Sequence, residues 1–353
     1  MKTPFFKHIV FLTPGFAADE LDTPCIPPLQ LLVRELSKHE EVHVSIIAFQ
    51  YPAKHGNYDW HGTKVYACGG DNKGFPARLT CWKRARNAFK TIHKKNPVDL
   101  VHSFWLGECA FIGAGLASKF ELSHMCTLMG QDVLPGNRYL RWINFRKLYL
   151  VALSQRHAAQ FEATSGAKAD VLIPWGVGPK KRSNNTQRDI DVLGVGSLIP
   201  LKRYELFIET VAPMIAANPA LKIVLIGAGP DQVKLEQLAQ KQGIQSNFTF
   251  TGQLPREKVL EYMERSKVLL HTSSYESFGY VFSEALQAGM KVVSFSVGWA
   301  EASAVWTVVR DTSQLKTALQ KSLSESGTSD AATLYRIDQT AGEYVKHYLR
   351  LSE

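Results

Sequence analysis

Short, continuous apolar runs alternate with stretches of helical periodicity along almost the whole chain. In the first half the runs cover residues 8–14, 44–49, 64–67, 100–105, 125–129, 150–154 and 171–174. Between the first two runs, Leu29, Leu32, Val33 and Leu36 recur at a spacing that places them on one face of a helix. Strands buried on both faces read as continuous apolar runs, and helices connect parallel strands. The pattern therefore predicts a parallel α/β sheet.

The alternation stops at residues 178–191, a polar stretch without apolar periodicity, and then starts again. The second set of apolar runs covers residues 192–195, 223–226, 248–250, 268–271, 292–295 and 307–309. A polar stretch between two complete alternations is typical of a domain boundary. We expect two doubly wound, Rossmann-like α/β domains that face each other across a cleft. The first takes residues 1–177 with a last helix at about 333–353, and the second takes residues 178–332.

Composition narrows the class of protein. The chain has 353 residues, of which 45% are hydrophobic and 21% charged, as in a folded globular protein. No apolar run reaches the roughly 18 to 20 residues that a membrane-spanning helix needs, and the first residues fit a secretory signal badly. The five cysteines include no C-x-x-C pair, which favours a reducing compartment over a disulfide scaffold. We expect a cytoplasmic protein.

The net charge of +9 is concentrated in the first half of the chain. Residues 1–175 hold 21 basic and 14 acidic side chains, whereas residues 176–353 hold 20 and 18. An excess of this kind indicates an anionic partner. By itself it does not distinguish a nucleic acid from a membrane surface or a phosphorylated ligand.

Several familiar site patterns are incomplete. Gly227 and Gly229 follow an apolar run, as in a dinucleotide-binding turn, but Gln232 stands where the third glycine belongs. A tight turn with Asp231 as a helix cap is therefore favoured. The D-x-D at 189–191 ends a polar linker, where charges are normally solvated rather than bound to a metal. The chain has no H-E-x-x-H, P-loop, G-x-S-x-G or zinc-spaced cysteine–histidine set, so metal hydrolase, NTPase and serine hydrolase functions lose their main support.

The segment 275–289, YESFGYVFSEALQAG, is the strongest functional signal. It follows an apolar run, enters a helix, and carries Glu276 and Glu284 with seven residues between them. Gly279 lets the backbone approach a ligand closely, and the N–H groups of residues 278–280 can point at an anion. The alternative is that Glu276 caps the helix and Glu284 is an exposed carboxylate. The segment alone does not decide between the two.

This segment resembles the E-x7-E signature of the family 4 retaining glycosyltransferases, whose fold is the two-domain GT-B architecture. Other family elements agree in order and spacing. In the second half, residues 195–198 with Lys202 are similar to the family's G-R-L-x-x-x-K element, and residues 223–230 are similar to its strand and G-x-G-P turn. Residues 250–252 are similar to its F-x-G loop, and residues 298–301 to its G-G-x-x-E element. The likeness is looser in the first half, at 99–102, 130–132 and 173–177. It covers about residues 8–310 and the last helix.

The resemblance implies a role for each matching residue. Lys202 would neutralise the donor diphosphate as it leaves, and Glu276 would hold hydroxyls of the transferred sugar. Glu284 would accept hydrogen bonds from the ribose. The donor-binding positions implied are Gly15, Ser197, Arg203, Gly252, Phe278, Gly279, Tyr280 and Glu284. Retention in this family is commonly drawn as a front-face reaction in which the leaving phosphate takes the acceptor's proton, so we expect neither a metal nor a cofactor beyond the nucleotide-diphosphate sugar.

Four positions depart from the family pattern. Ser197 stands where arginine is usual, and Arg203, in the place of a glycine, either supplies the missing cation or is a solvated surface residue. Phe104 and Met129 stand where histidine is often found, and neither can hydrogen-bond a hexose hydroxyl. The acceptor-side candidates are His102 and Asp132. A histidine at a strand end is also commonly structural, so that alternative stays open for the first of them.

The basic stretch 82–95 has two interpretations. Its apolar residues Trp82, Ala85, Phe89 and Ile92 fall at helical spacing, with six lysines and arginines on other faces. A surface helix packed by its apolar stripe explains the pattern, and so does a helix that docks on anionic lipid. Nucleic-acid binding is not expected, because no recognition fold accompanies the charge.

The sequence thus predicts a metal-independent, retaining glycosyltransferase of GT-B fold. It is expected to transfer a hexose-type sugar from a nucleotide-diphosphate sugar to a glycan or a lipid-linked acceptor, in the cytoplasm or peripherally at the inner membrane face. The departures from the family pattern keep open a degenerate, non-catalytic sugar-nucleotide-binding or partner subunit of the same fold. Another GT-B activity, such as a phosphorylase or an epimerase, is a further alternative.

Overall fold

In the computed structural model, residues 6–179, 187–325 and 335–352 are described. The chain forms two compact units. The first unit is Met1–Gly178 with Tyr335–Glu353, and the second unit is Pro179–Leu334. Residues 180–186 of the polar stretch and residues 333–334 at the expected start of the last helix lie outside the described residues.

The first unit is built on an eight-stranded sheet. Its elements before residue 178 are β1 (Lys7–Gly15), α1 (Pro27–Leu36), β2 (Val42–Tyr51), β3 (Gly56–Trp60), β4 (Thr63–Ala67), α2 (Ala77–Lys95), β5 (Leu100–Phe104), α3 (Glu108–Phe120), β6 (Ser123–Thr127), β7 (Tyr149–Ala152), α4 (Gln155–Ser165) and β8 (Val171–Leu172). The strand order is β3-β4-β2-β1-β5-β6-β7-β8. Every predicted apolar run of this half forms a strand. The central strands β1, β2 and β5 are almost completely buried, as expected for strands covered on both faces, whereas β4 and β8 are only partly buried.

Strand β3 is a difference from the sequence prediction, which expected only parallel strands. It pairs antiparallel with β4 through the turn His61-Gly62, whose φ angles are 44° and 81°. A two-residue turn with two positive φ angles matches the twist of hairpin strands. The residues of β3 are largely exposed at the sheet edge, so they lack the continuous apolar run by which the other strands were recognised.

The second unit contains a six-stranded sheet. Its elements are β9 (Ile190–Val195), α5 (Tyr204–Ala217), β10 (Ile223–Ile226), α6 (Gln232–Lys241), β11 (Phe248–Gly252), α7 (Arg256–Glu264), β12 (Ser266–His271), α8 (Tyr280–Gln287), β13 (Lys291–Phe295), β14 (Trp306–Val309) and α9 (Ser313–Ser324). The order β11-β10-β9-β12-β13-β14 is parallel throughout and is the doubly wound order of Rossmann-like domains. The predicted α/β class with two parallel-sheet domains is confirmed.

The last helix, α10 (Ile337–Leu351), packs in the first unit rather than in the second, which precedes it in sequence. Its apolar face buries Tyr344 and Tyr348 completely. The backbone N–H of Val177 donates to the carbonyl of Tyr335 at 3.0 Å, and this bond ties the start of the helical segment to the end of the first unit's main portion. None of the helices in the described parts of the chain has the length and apolar character needed to span a bilayer.

Candidate active site

The strand order of the second unit produces a crevice at the carboxyl ends of β9 and β12. These two strands are neighbours in the sheet. After β9 the chain continues to β10 on one side of the pair, and after β12 it continues to β13 on the other side. Connections that leave in opposite directions open the space in which doubly wound sheets bind ligands. The segments 196–203 and 272–279 border this space. They are held together because the hydroxyl of Thr272 donates to the carbonyl of Lys202 at 2.9 Å.

Three side chains meet in this crevice. The ammonium of Lys202 forms an ion pair with Oε1 of Glu276, and Nε2 of His271 lies 2.8 Å from the same oxygen. Burial raises the pKa of Glu276, but Lys202 and the hydrogen bond from His271 outweigh it and lower the pKa to about 2. Burial lowers the pKa of His271, so its ring is neutral at pH 7 and donates to the carboxylate from Nε2–H. We call these three residues the Lys–Glu–His cluster.

Tyr204 places a buried hydroxyl beside the cluster. This residue begins α5, is 3% exposed, and has no hydrogen-bond partner for its hydroxyl among the described residues. A Cβ built on Gly196 would lie 3.0 Å from that hydroxyl and 3.7 Å from Cε of Lys202. Glycine at position 196 therefore keeps open the space between Tyr204 and Lys202. A buried polar group without a partner is rare in native proteins and fits a site that a ligand completes.

The N-terminus of α8 lies at the same edge of the sheet. The helix begins at Tyr280, and its N-cap Gly279 has a φ of 81°, in the left-handed region that glycine adopts without strain. Gly298 packs against this turn, since a Cβ there would lie 2.1 Å from the carbonyl oxygen of Phe278. The two glycines allow a tight entry into α8, whose N-terminal dipole favours a negatively charged ligand.

Glu284 is buried and paired with an arginine. It is 8% exposed, and its Oε1 accepts from Nε of Arg256 at 3.0 Å. Burial raises the pKa of Glu284 and outweighs the opposing charge of Arg256. The guanidinium also donates to the hydroxyl of Tyr280 at 3.4 Å. These contacts exclude the alternative of an exposed helical carboxylate, and a ribose that bound Glu284 would share it with Arg256.

Arg203 packs between Thr272 and Phe295. Its Nε donates to the carbonyl of Thr272 at 2.9 Å, and its guanidinium lies 4.5 Å from the ring centroid of Phe295. It is therefore neither a freely solvated arginine nor part of the Lys–Glu–His cluster. Ser197, in the usual place of an arginine, is exposed. Of the two basic residues in segment 196–203, only Lys202 contacts Glu276.

The two other glycines of the predicted donor site each end a strand of their own unit. Gly252 ends β11, two strands from β9, with a φ of 69° and open space around it. Its carbonyl accepts from the N–H of Gly227 at 3.0 Å, and Gly227 lies against Gly196, so the three glycines connect the ends of three strands. Gly15 ends β1 in the first unit, where a Cβ would lie 3.3 Å from Cβ of Tyr51.

The first unit has a pocket of about 440 Å³ at the carboxyl ends of β5 and β6. Asp132 lies in its wall, and its carboxylate accepts from the backbone N–H of Leu106 at 2.7 Å and of Gly130 at 2.6 Å. The structure thus places this acceptor-side candidate at a pocket, but its carboxylate holds two loops together. Trp105, at a φ of 68°, and Tyr139 supply aromatic surface to the same pocket.

His102 does not reach a ligand, which corrects its proposed acceptor-side role. It is fully buried, with Nδ1 2.8 Å from the hydroxyl of Tyr348 and Nε2 2.8 Å from the hydroxyl of Thr127. Burial holds its pKa well below the usual value. Both ring nitrogens are used within the fold, so the structural alternative applies. Phe104 and Met129 are buried beside this region.

Helix α2 turns its apolar stripe toward the sheet. Cys81, Ala85, Phe89 and Ile92 are buried, whereas Trp82 is only half-buried and donates from Nε1 to Glu108 at 2.8 Å. The part of the stripe from Ala85 to Ile92 is therefore not available to a membrane, and the interpretation of a packed surface helix applies to it. Its basic side chains are nevertheless mostly exposed.

The D-x-D at 189–191 is used in ion pairs. Asp189 pairs with Arg265, and Asp191 pairs with Lys267 at 2.6 Å. Asp231 occupies the N-cap of α6 but makes no side-chain capping bond, which corrects that detail of the turn. Within the described ranges, no three histidine, cysteine, aspartate or glutamate side chains come together in a group that could hold a metal ion.

Two site residues were missed from the sequence. His271 ends an apolar run, and this polar residue five positions before Glu276 is the signal that could have identified it. Arg256 opens α7 and reaches Glu284 only through the packing of two helices. The spacing of residues in the sequence gives no indication of that contact.

Comparison with known protein families gives a match in the second unit. Residues 179–305 match the family described as Glycosyl transferases group 1. The chain is 29% identical over 174 residues to 2-deoxystreptamine glucosyltransferase of Streptomyces kanamyceticus, covering 45% of each chain. It is 26% identical over 258 residues to D-inositol 3-phosphate glycosyltransferase of Kribbella flavida, covering 63% of this chain and 61% of that one. It is 30% identical over 109 residues to the phosphatidylinositol N-acetylglucosaminyltransferase gpi3 subunit of Schizosaccharomyces pombe, covering 31% and 24%.

The chain spans less than two thirds of the length of these curated relatives. Solved structures cover it more fully. A sucrose-phosphate synthase of Thermosynechococcus elongatus superposes with a TM-score of 0.71 at 18% identity, over 98% of this chain and 96% of that one. Anabaena HepE in complex with UDP and glucose gives 0.68 at 18%, over 98% and 97%. The chain therefore has the two-domain GT-B fold, and residues 179–305 carry the sequence pattern of the group 1 glycosyl transferases.

Proposed function

We propose that the protein is a retaining glycosyltransferase. It transfers a hexose-type sugar from a nucleotide-diphosphate sugar to a glycan or lipid-linked acceptor without a metal ion. The observation that carries the proposal is the Lys–Glu–His cluster, which lies in the switch-point crevice of the domain that matches the group 1 family.

The cluster suits a ligand that is anionic at one end and rich in hydroxyls at the other. Lys202 and Glu276 neutralise each other in the ligand-free protein, which lowers the cost of holding two charges in a poorly solvated site. When a donor binds, its diphosphate becomes the partner of Lys202, and Glu276 accepts hydrogen bonds from the sugar hydroxyls. As the sugar leaves, negative charge grows on the phosphate, and the nearby ammonium stabilises that charge.

Neighbouring groups extend the phosphate site. The N-terminus of α8 contributes a favourable dipole, and the unpartnered hydroxyl of Tyr204 supplies a hydrogen-bond donor beside Lys202. The leaving phosphate oxygen then takes the proton of the acceptor hydroxyl, so no carboxylate of the protein has to act as a base. A carboxylate with a pKa of about 2, such as Glu276, is in any case a weak base.

UDP-glucose is the first donor to test, because the relatives include a glucosyltransferase and a protein solved with UDP and glucose. We also propose that the protein works in a reducing compartment, since its five cysteines are free thiols. A thermal-shift series with UDP-, GDP- and ADP-sugars identifies the donor, because a ligand that binds only the folded state raises the melting temperature.

The decisive experiment combines donor binding with sugar transfer. Glu276→Ala and Lys202→Met are expected to lower transfer at least a hundredfold, since each removes a charged contact to the reacting part of the donor. The control is Lys241→Met, which removes an exposed lysine at the end of α6. If Glu276→Ala transfers sugar at the normal rate, the proposed role of the cluster is wrong.

A second candidate is a non-catalytic sugar-nucleotide-binding subunit. Ser197 is exposed where a cation is usual in the resembling family, and Arg203 contacts Thr272 and Phe295 in the ligand-free protein. One relative is itself described as a subunit of a transferase. This candidate predicts tight nucleotide binding without transfer or hydrolysis of any donor, and the same binding and transfer assays distinguish it.

A further inference from the structure

Large apolar side chains are exposed on one part of the first unit. Phe75, just before α2, is 78% exposed, and Leu79 in the first turn of that helix is 46% exposed. Trp142, in the segment between β6 and β7, is 56% exposed. Leaving three such side chains in water is unfavourable, and clustered exposure of this kind marks an interaction site rather than scattered surface residues.

Phe75 and Leu79 lie at the start of α2, and aromatic contacts connect the next turn of this helix to Trp142. Trp82 lies one turn after Leu79 on α2, and its ring centroid is 5.6 Å from that of Phe111 on α3. Phe111 is in turn 6.1 Å from Trp142. Tyr139 completes the contact at 5.5 Å from Trp142. We call the patch formed by Phe75, Leu79, Trp82, Phe111, Tyr139 and Trp142 the aromatic surface.

Positive charge surrounds the aromatic surface. The segments 72–98 and 133–161, which supply most of it, contain no aspartate or glutamate. Together they hold thirteen of the 21 basic residues found in residues 1–175, and so account for the charge excess of that half of the chain. Lys83, Arg138 and Arg141 are exposed next to the aromatic rings. The carboxylate of Glu108, which accepts a hydrogen bond from Trp82, is only 13% exposed, and Asp71, four residues before Phe75, pairs with Lys73 at 3.3 Å.

We propose that the aromatic surface docks on an anionic phospholipid bilayer. Trp142, Phe75 and Leu79 enter the boundary between headgroups and acyl chains, and Lys83, Arg138 and Arg141 bind the lipid phosphates. Tryptophan and tyrosine favour this boundary, and exposed basic side chains add attraction to anionic lipid. The combination of exposed apolar side chains with a predominantly basic rim fits a lipid surface better than an acidic glycan, which offers charge but no apolar phase.

This docking differs from the lipid-binding helix expected from the sequence. The apolar stripe of α2 beyond Trp82 is buried against the sheet, so only the first turns of the helix contribute. The segment between β6 and β7 supplies the remainder. The aromatic surface also includes Tyr139, which lines the first unit's pocket of about 440 Å³, so a lipid-linked molecule in the docked bilayer lies beside that pocket.

The test is co-sedimentation of the full chain with vesicles. We expect binding to phosphatidylcholine vesicles that contain phosphatidylglycerol, and little binding to phosphatidylcholine alone. The double variant Trp142→Ser/Phe75→Ser is expected to weaken vesicle binding at least roughly tenfold, because it removes the apolar contact of two side chains with the bilayer. The double variant Arg138→Ser/Arg141→Ser is expected to weaken vesicle binding more than tenfold, since each basic residue near the membrane surface raises the affinity about fivefold.

Two control variants match these changes elsewhere on the molecule. The double variant Lys241→Ser/Lys316→Ser removes two exposed basic residues from the second unit, and Val233→Ser removes an exposed apolar residue from the same unit. Neither is expected to change binding by more than about twofold, and circular dichroism confirms folding of every variant. The inference is overturned if the chain ignores anionic vesicles at low salt, if the controls lose binding as strongly, or if it binds heparin or self-associates through Trp142 instead. Glu276→Ala is expected to bind vesicles normally, so the test is independent of the proposed transfer reaction.

Discussion

Nε2 of His271 lies 2.8 Å from Oε1 of Glu276, the same oxygen that Lys202 contacts. His271 is 3% exposed, so it acts through Glu276 rather than on a ligand. Because the neutral ring donates a hydrogen bond, it fixes the carboxylate without competing with Lys202 for charge. We regard His271 as a positioning residue of the proposed sugar site.

Variants of His271 test whether this residue positions the carboxylate of Glu276 or only fills space in the core. His271→Leu is expected to weaken binding of UDP-glucose roughly tenfold, since a hydrogen bond to a charged group is lost. Binding of UDP alone should change much less, because UDP has no sugar to contact Glu276. His271→Gln keeps an N–H donor and is expected to restore most of the affinity. Isothermal titration with both ligands measures the difference, and equal losses for UDP and UDP-glucose would count against the assignment.

The low pKa of Glu276 predicts how stability depends on pH. A carboxyl group with a folded pKa of about 2 against an ordinary 4.5 stabilises the fold above pH 4.5 and loses that contribution as the pH falls toward 2. The shift corresponds to about 3 kcal/mol. Wild-type protein should therefore lose stability between pH 5 and pH 3 more steeply than Glu276→Gln in urea unfolding. Glu209→Gln, an exposed change on α5, should follow the wild type.

The unpartnered hydroxyl of Tyr204 predicts opposite effects on stability and binding. Tyr204→Phe removes a buried polar atom that has no partner in the ligand-free protein, so the free energy of unfolding should stay the same or rise by about 1 kcal/mol. Nucleotide affinity should fall about threefold to tenfold if the hydroxyl binds a phosphate oxygen. Thermal unfolding with and without UDP tests both. A loss of stability without any loss of affinity would assign Tyr204 to packing alone.

The contact between Arg256 and Glu284 predicts a pH-dependent defect. Arg256→Met leaves a buried carboxylate without its cation, which is expected to destabilise the second unit by roughly 3 kcal/mol at pH 7.5. Burial already raises the pKa of Glu284, so protonation at lower pH should relieve part of the loss. Urea unfolding at pH 7.5 and about pH 5.5 measures this change. The double variant with Glu284→Gln should recover stability at both pH values.

The hydrogen bond between Tyr348 and His102 should stabilise the first unit. Tyr348→Phe leaves Nδ1 of the fully buried His102 without its partner, at an expected cost of about 1–3 kcal/mol. The matched control is Tyr51→Phe, which removes the hydroxyl of a 41% exposed tyrosine bonded to Asp22. That change should cost less than about 0.5 kcal/mol, as is usual at exposed positions. Similar thermal shifts for both variants would contradict the assignment.

Much of the fold could be predicted because buried parallel strands leave a direct sequence signature. Runs such as 223–226 and 268–270 are apolar without interruption, and each forms a strand between two neighbours. Strand β3 was missed because it lies at an edge, where one face and one row of backbone groups remain solvated. The pattern of apolar residues in a sequence reflects which residues are buried. A strand that is scarcely buried therefore gives almost no apolar pattern by which it can be recognised.

The candidate site was predictable only in part. Lys202 and Glu276 fall on a recognisable pattern, and the structure brings them into contact across the two loops of the switch point. Sequence spacing does not say what a side chain contacts, however. The sequence does not indicate that the guanidinium of Arg203 lies near Phe295, or that His102, an acceptor-side candidate, is bonded to Tyr348 of the last helix. Both depend on packing between segments far apart in the chain.

The return of α10 to the first unit has a consequence for the order of folding during synthesis. Phe11 and His102 emerge early from the ribosome, but Tyr348, which contacts both, is made some 240 to 340 residues later. Domains generally fold as units while the chain grows. The second unit can therefore fold first although it begins later, whereas the first unit waits for its own last helix. Until then, the sheet surface that α10 covers is exposed to water and to other chains.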